Sequence, residues 1–112
     1  MLENKSETIK LFISQPMRDK TNEEIECERQ IAVDYATRLF KEDMEDNRPV
    51  EVIDSFFKNA PHDAAPLWFL GESLKLLSTA DVAYFCGGWE DYRGCRIEHN
   101  CCEEYEIPII VD

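Results

Sequence analysis

The densest concentration of reactive side-chain types runs from Gly87 to His99, in the order Gly-Gly-Trp-Glu-Asp-Tyr-Arg-Gly-Cys-Arg-Ile-Glu-His. Gly87 and Gly88 directly follow an apolar run, where they admit backbone conformations barred to other residues and let a ligand approach the main chain. The amides that open a following helix can hold an anion. Neither the GxGxxG nor the Walker spacing is present, so the dinucleotide fingerprint and the P-loop are excluded. Glu98 stands about one turn into that helix. A carboxylate held there beside a strand can attack an anomeric carbon and form a covalent glycosyl intermediate, whereas on an acidic helix it also reads as a solvated surface acid. Trp89 is placed to stack on a base, and Tyr92 to hydrogen-bond a ligand. Arg93 or Arg96 can meet a 5′-phosphate bidentately.

Cysteine invites two further readings. Cys95 and His99 are four residues apart with Cys102 three beyond, yet zinc wants four ligands, and adjacent Cys101 and Cys102 cannot easily supply two from one helix face. No metal and no other cofactor is therefore expected, and Cys86, Cys101 and Cys102 read as small core residues. Cys95, opening a helix between Arg93 and Arg96, is expected to have a lowered pKa, but no His and Asn pair completes a thiol hydrolase. His62 and His99 read as a loop residue and a helix-surface residue.

These residues need elements to position them. Ile9–Ser14 reads as a buried strand ending at Gln15-Pro16. Thr21 with Glu24 forms a capping-box signature, and the apolar spacing that follows predicts a helix fading near Met44. Val50–Ile53 is a second strand, and Asp54 at its end could touch a sugar hydroxyl, support a proton transfer or simply begin a turn. Leu67, Trp68, Leu70, Leu74 and Leu77 predict a helix after Pro66 that Gly71 weakens without breaking. Asp81–Cys86 is a third strand, Asp81 capping the turn before it. A helix over about Cys95–Glu104 and a strand over Ile107–Val111 complete the series.

This alternation predicts a single compact, doubly wound α/β domain, flavodoxin- or Rossmann-like, with a mostly parallel sheet of four or five strands. In such folds ligands bind beyond the carboxyl ends of the strands at the switch in strand order. Three loops are thereby singled out: Ser14–Lys20, Asp54–Asp63 and Gly87–Gly94. At 112 residues there is room for one domain, and 44% apolar residues suffice for a core.

The 24 acidic residues against 12 basic ones give a formal charge of −12, which opposes the phosphate contacts that dominate duplex nucleic-acid binding and disfavours anionic membranes. A small anionic ligand remains compatible, because salt screens a distant field within about 8–10 Å. The five cysteines are odd in number, and no signal-peptide pattern precedes them, so reduced thiols in a cytoplasmic protein are expected. The longest apolar runs fall far short of the roughly 20 residues of a bilayer span.

Ile9–Met17, the Ala80-Asp81 strand start, Arg93-Gly94-Cys95-Arg96-Ile97-Glu98-His99 and Tyr105–Ile110 together resemble the nucleoside 2-deoxyribosyltransferase-like superfamily. The closest part is similar to its small uncharacterised branch, common in bacteria and their phages. The resemblance spans nearly the whole chain. It implies that Glu98 is the nucleophile on C1′ of a deoxyribosyl or ribosyl group, that Gln15, Pro16, Met17 and Arg18 line the pocket, and that Gly87, Gly88 and Gly94 shape its far wall. It also implies a homo-oligomer. Members usually carry an aspartate six residues before the nucleophile, where this chain has Tyr92 with Asp91 one place off, and another eight residues before Asp81, where it has Ser73. Those acids assist proton transfer to the leaving base and orient the nucleophile.

Two expectations follow. The first is an N-glycosidase or deoxyribosyltransferase acting on a nucleoside or nucleotide through Glu98, with Asp91 or Tyr92 assisting. The second is a binding module that holds such a ligand without turnover, as a sensor or sponge.

Overall fold

The computed structural model describes residues 7–54 and 60–111. The chain runs through β1 (Ile9–Ser14), α1 (Asn22–Asp43), β2 (Val50–Val52), α2 (Pro66–Leu77), β3 (Val82–Phe85), a short 3-10 turn (Trp89–Asp91), α3 (Arg93–Glu104) and β4 (Ile109–Val111). Its four strands are all parallel, in the order β2-β1-β3-β4. The doubly wound α/β class expected from the alternation is what the chain adopts.

Local chemistry explains the boundaries. Thr21 accepts from the Glu24 N–H through its side chain, and Glu24 returns the bond to the Thr21 N–H, so the expected capping box is formed. Pro66 occupies the first turn of α2, where its missing N–H costs nothing. Asp81 does more than begin a strand. Its carboxylate accepts from the Lys10 N–H at 2.8 Å while its own N–H donates to the Lys10 carbonyl at 2.8 Å, pinning β3 to β1. The turn before it is closed instead by Ser78 and Thr79, whose hydroxyls donate to the Lys75 and Leu76 carbonyls.

Side-chain alternation along the strands builds two separate apolar layers. Leu11, Ile13, Val82, Tyr84 and Cys86 face α1, packing with Ala32 and Ala36. Phe12, Ala83 and Phe85 face the other way, toward Leu77 of α2 and Cys102 of α3. A right-handed crossover puts its helix on opposite faces according to the direction in which it moves across the sheet. The step from β1 to β2 therefore leaves α1 on one face, while the return past β1 to β3 and on to β4 leaves α2 and α3 on the other. The reversal opens a crevice beyond the carboxyl ends of β1 and β3.

Small differences from the expected elements have simple causes. β2 stops at Val52 rather than Ile53, although Ile53 still donates to Leu11 at 2.9 Å. α3 begins two residues before Cys95, because the 3-10 turn at Trp89–Asp91 brings the chain into helical conformation early. β4 covers only the last part of the expected run. Of the loop expected over Asp54–Asp63, residues 55–59 lie outside the described residues. None of the five cysteines is joined in a disulfide, and no helix among the described residues is long and apolar enough to cross a membrane.

Thr21→Ala removes one arm of the capping box and is expected to lower stability by about 1 kcal/mol. Urea unfolding followed by circular dichroism should show a lower midpoint at unchanged slope; an unmoved midpoint would show that the box contributes nothing to the folded state.

Candidate functional site

The alternation that faces Phe12 toward α2 and α3 also turns Ser14, two residues on, to the same side of the sheet. There it meets Glu98. On α3, Cys95, Glu98 and Cys102 recur at three- and four-residue steps and form the buried face of the helix, so the carboxylate is carried into the crevice rather than into solvent. Glu98 is 8% exposed, and its Oε1 accepts a 2.7 Å hydrogen bond from the Ser14 hydroxyl.

Around this pair lies an open cleft of about 550 Å³. Its floor and one wall come from Phe12, Ile13 and the β1 loop, including Gln15, Pro16 and Met17. The opposite wall is α2, which presents Pro66, Phe69, Leu70 and Ser73, a helical stripe at three- and four-residue steps. Tyr92, Gly94, Cys95 and Glu98 complete it from α3 and its start. Glu98 is the one carboxylate among the described residues that line it.

Burial fixes the electrostatics. Desolvation pushes the Glu98 carboxyl from 4.5 up to about 7, with the Ser14 hydrogen bond acting in the opposite direction. Burial also raises the Cys95 thiol, against the Ser14 hydrogen bond and the Lys20 charge, which lower it. This overturns the expected thiolate: the helix start and neighbouring arginines do not compensate for a thiol that is 6% exposed and close to Glu98.

Several sequence-predicted residues meet in this cleft, namely Gln15, Pro16, Met17, Tyr92, Gly94 and Glu98. Gln15 arrives with its side chain already engaged. Its amide donates to the Ile25 carbonyl at 2.9 Å and to Glu28 at 3.1 Å, and its oxygen accepts from Arg29 at 3.2 Å. Glu28 in turn pairs with Lys20 at 2.8 Å. The glutamine therefore ties the β1 loop to α1 and offers the cleft a wall.

Other predicted residues lie elsewhere. Arg18, Asp91, Arg93 and Arg96 line a neighbouring depression that shares Tyr92 and Gly94 with the cleft. Trp89 does not face the cleft. Gly88, at φ 87°, turns the chain back, and the indole stacks on His99 at 4.2 Å between ring centres and packs against Phe85. Gly87 and Gly88 support this turn and do not line the cleft. Asp54 lies two residues beyond β2, which pairs with the side of β1 away from β3, and it stands outside the lining of the crevice. Among the described residues no group of three or more His, Cys, Asp or Glu converges as a metal site would require. His99 is held by Trp89 and by Glu103 at 3.3 Å.

The sequence does not single out Pro66, Phe69 and Leu70 as site residues, and marks Ser14 only as the start of a candidate loop. Ser14 carried a signal, since it is the one polar residue of β1 at the strand's carboxyl end. Pro66 reads as the start of α2 and Leu70 as one of the apolar residues that build it, so neither type nor spacing sets them apart as cleft residues. No protein-family model matches this chain, and neither a curated protein nor a solved structure matches it at a significant level.

An acid raised on folding binds its proton more tightly in the folded than in the unfolded state. Between pH 4.5 and about 7 the folded chain therefore holds the extra proton, and stability falls as pH rises through this window. The difference corresponds to about 3 kcal/mol at full effect. Glu98→Gln, which can still accept from Ser14, is expected to unfold at higher urea than the wild type at pH 8 and at nearly the same urea at pH 4.5. An equal gap at both pH values would show that Glu98 is not desolvated.

Proposed function

We propose that the chain is a nucleoside or nucleotide N-glycosidic-bond enzyme, an N-glycosidase or deoxyribosyltransferase, with Glu98 as its nucleophile. One observation carries the reading: a carboxyl group is buried at the switch in strand order, aimed into a cleft large enough for a nucleoside and held by a hydroxyl from the adjacent strand. A buried carboxyl with a shifted pKa is costly to maintain for stability alone, and such groups concentrate where chemistry occurs. The sequence resemblance to the nucleoside 2-deoxyribosyltransferase-like superfamily points to the same residue. Its two unmatched positions, Ser73 and Tyr92, both line the cleft with Glu98.

In the reaction, the Glu98 carboxylate attacks C1′ of the pentose from the face opposite the base. The C1′–N bond breaks, and its electron pair leaves with the base, which takes up a proton from water or from the Tyr92 hydroxyl. Water then attacks C1′ of the glycosyl ester, the bond to the Glu98 oxygen breaks, and the carboxylate is regenerated as a proton is released. A second base in place of water gives transfer. The Ser14 hydrogen bond orients the attacking group, and the apolar α2 wall with Pro16 and Met17 supplies surface for a base. No cofactor enters this scheme. The reading includes a cytoplasmic setting and self-association, for which Leu67 and Phe69, 74% and 40% exposed beside the cleft, offer apolar surface.

A second reading, ligand binding without turnover, is favoured by one observation. Among its described lining residues the cleft holds a single carboxylate, and Asp91 stands outside it. Chromatographic detection of free base, with ribo- and deoxyribonucleosides and their 5′-monophosphates as substrates, separates the two. The wild type is expected to release base and Glu98→Gln to lose at least about a thousandfold in rate while still binding. Because the attacking form is the carboxylate, the rate should rise about tenfold per pH unit below about 7 and level above it. Ligand-induced thermal stabilisation without base release would establish the binding module; a rate that falls as pH rises through 7 would make Glu98 an acid rather than the nucleophile.

A further inference from the structure

Beside the cleft, Arg18 from the β1 loop converges with Arg93 and Arg96 from the first turn of α3 on one depression, which Asp91, Tyr92 and Gly94 complete. Three of the chain's 12 basic residues thus gather at one point of a molecule carrying a formal charge of −12. Their charges are not spent on carboxylates. Arg18 and Arg93 have no hydrogen-bond or ion-pair partner among the described residues, Arg96 donates only to the Glu90 carbonyl at 2.9 Å, and Asp91 forms no salt bridge with any of them.

The backbone adds to the same field. α3 starts at Arg93 with no side-chain cap from Tyr92 and no acidic residue in its first turn, so the positive end of the helix is left facing this depression. Tyr92 and Gly94 belong to both hollows, which sets them side by side at the start of α3. Gly94 precedes Glu98 by four residues, about 6 Å along the helix axis, a separation on the scale of one pentose.

We infer that the arginine depression is the subsite for a phosphate monoester, and that the cleft takes a nucleoside 5′-monophosphate with its phosphate on Arg18, Arg93 and Arg96 and its sugar at Glu98. This rests on the proposed N-glycosidic reading and names its substrate class. Arginine is suited to the task because its planar fork pairs bidentately with phosphate oxygens.

The test is a comparison of affinities, by isothermal titration calorimetry, for matched nucleosides and nucleoside 5′-monophosphates with the wild type, Arg18→Gln/Arg93→Gln and Glu98→Gln. The wild type is expected to prefer the monophosphate by at least about tenfold, with the preference shrinking as salt is raised. Arg18→Gln/Arg93→Gln is expected to bring the ratio to within about twofold of unity. Both arginines are exposed and have no partner among the described residues, so the double variant should fold, which an unchanged circular-dichroism melting curve verifies. An alkyl phosphate such as glycerol phosphate serves as the arm without a base; binding as tight as that of the nucleotide would assign the depression to phosphate esters at large and overturn the nucleotide assignment. Equal affinity of the wild type for nucleoside and monophosphate, or a preference that survives in the double variant, also overturns it, even if base is released. Arginine-dependent monophosphate binding without any base release leaves the subsite standing and overturns the reaction.

Discussion

A parallel sheet whose chain leaves β1 for one side and then returns past it to the other must open a gap where the two directions part. In this protein that gap lies between β1 and β3, and the structure places a carboxyl group in it. Burying Glu98 there is unfavourable for the charged form, and the fold tolerates it through one short hydrogen bond from Ser14. That bond depends in turn on the register of β1 against β3, which pairs Ser14 with Phe85 and is anchored at its other end by Asp81 on Lys10. The local positions of the site thus follow from strand pairing many residues away.

The loop that follows Ser14 shows the same dependence on α1. Gln15 spends its amide on Ile25, Glu28 and Arg29, and Lys20 closes the loop's other end on Glu28. The segment that borders the cleft is thereby held by contacts on its far side, and Pro16 and Met17 are left to present an apolar surface to it. Across the cleft, α2 uses one stripe for the core and another for the cleft wall. That division explains why an amphipathic helix carries Phe69, a residue of the cleft wall, 40% exposed.

The architecture was largely legible from the sequence because local and global signals agree. Branched runs mark β1 and β3, the Thr21–Glu24 box starts α1, and Pro66 starts α2. Glu98 could be singled out by its place after a strand and a helix start. What could not be read was direction. Trp89 reads as a ligand-facing indole until the left-handed Gly88 turns it onto His99 and Phe85. Asp54 reads as a residue at the ligand face until the strand order puts β2 on the far side of β1. Cys95 shows a conflict of magnitudes. A helix start between two arginines favours a thiolate, but burial outweighs it, and burial is a property of packing that no local spacing reveals.

The proposed reaction requires that Glu98 itself forms the bond to C1′. Rapid acid quench during turnover of a nucleoside 5′-monophosphate, followed by proteolysis and mass spectrometry, reads this directly. A phosphopentosyl adduct is expected on the peptide containing Glu98, lost in Glu98→Gln. Turnover by the wild type with the adduct on another residue, or undiminished base release by Glu98→Ala, would contradict it.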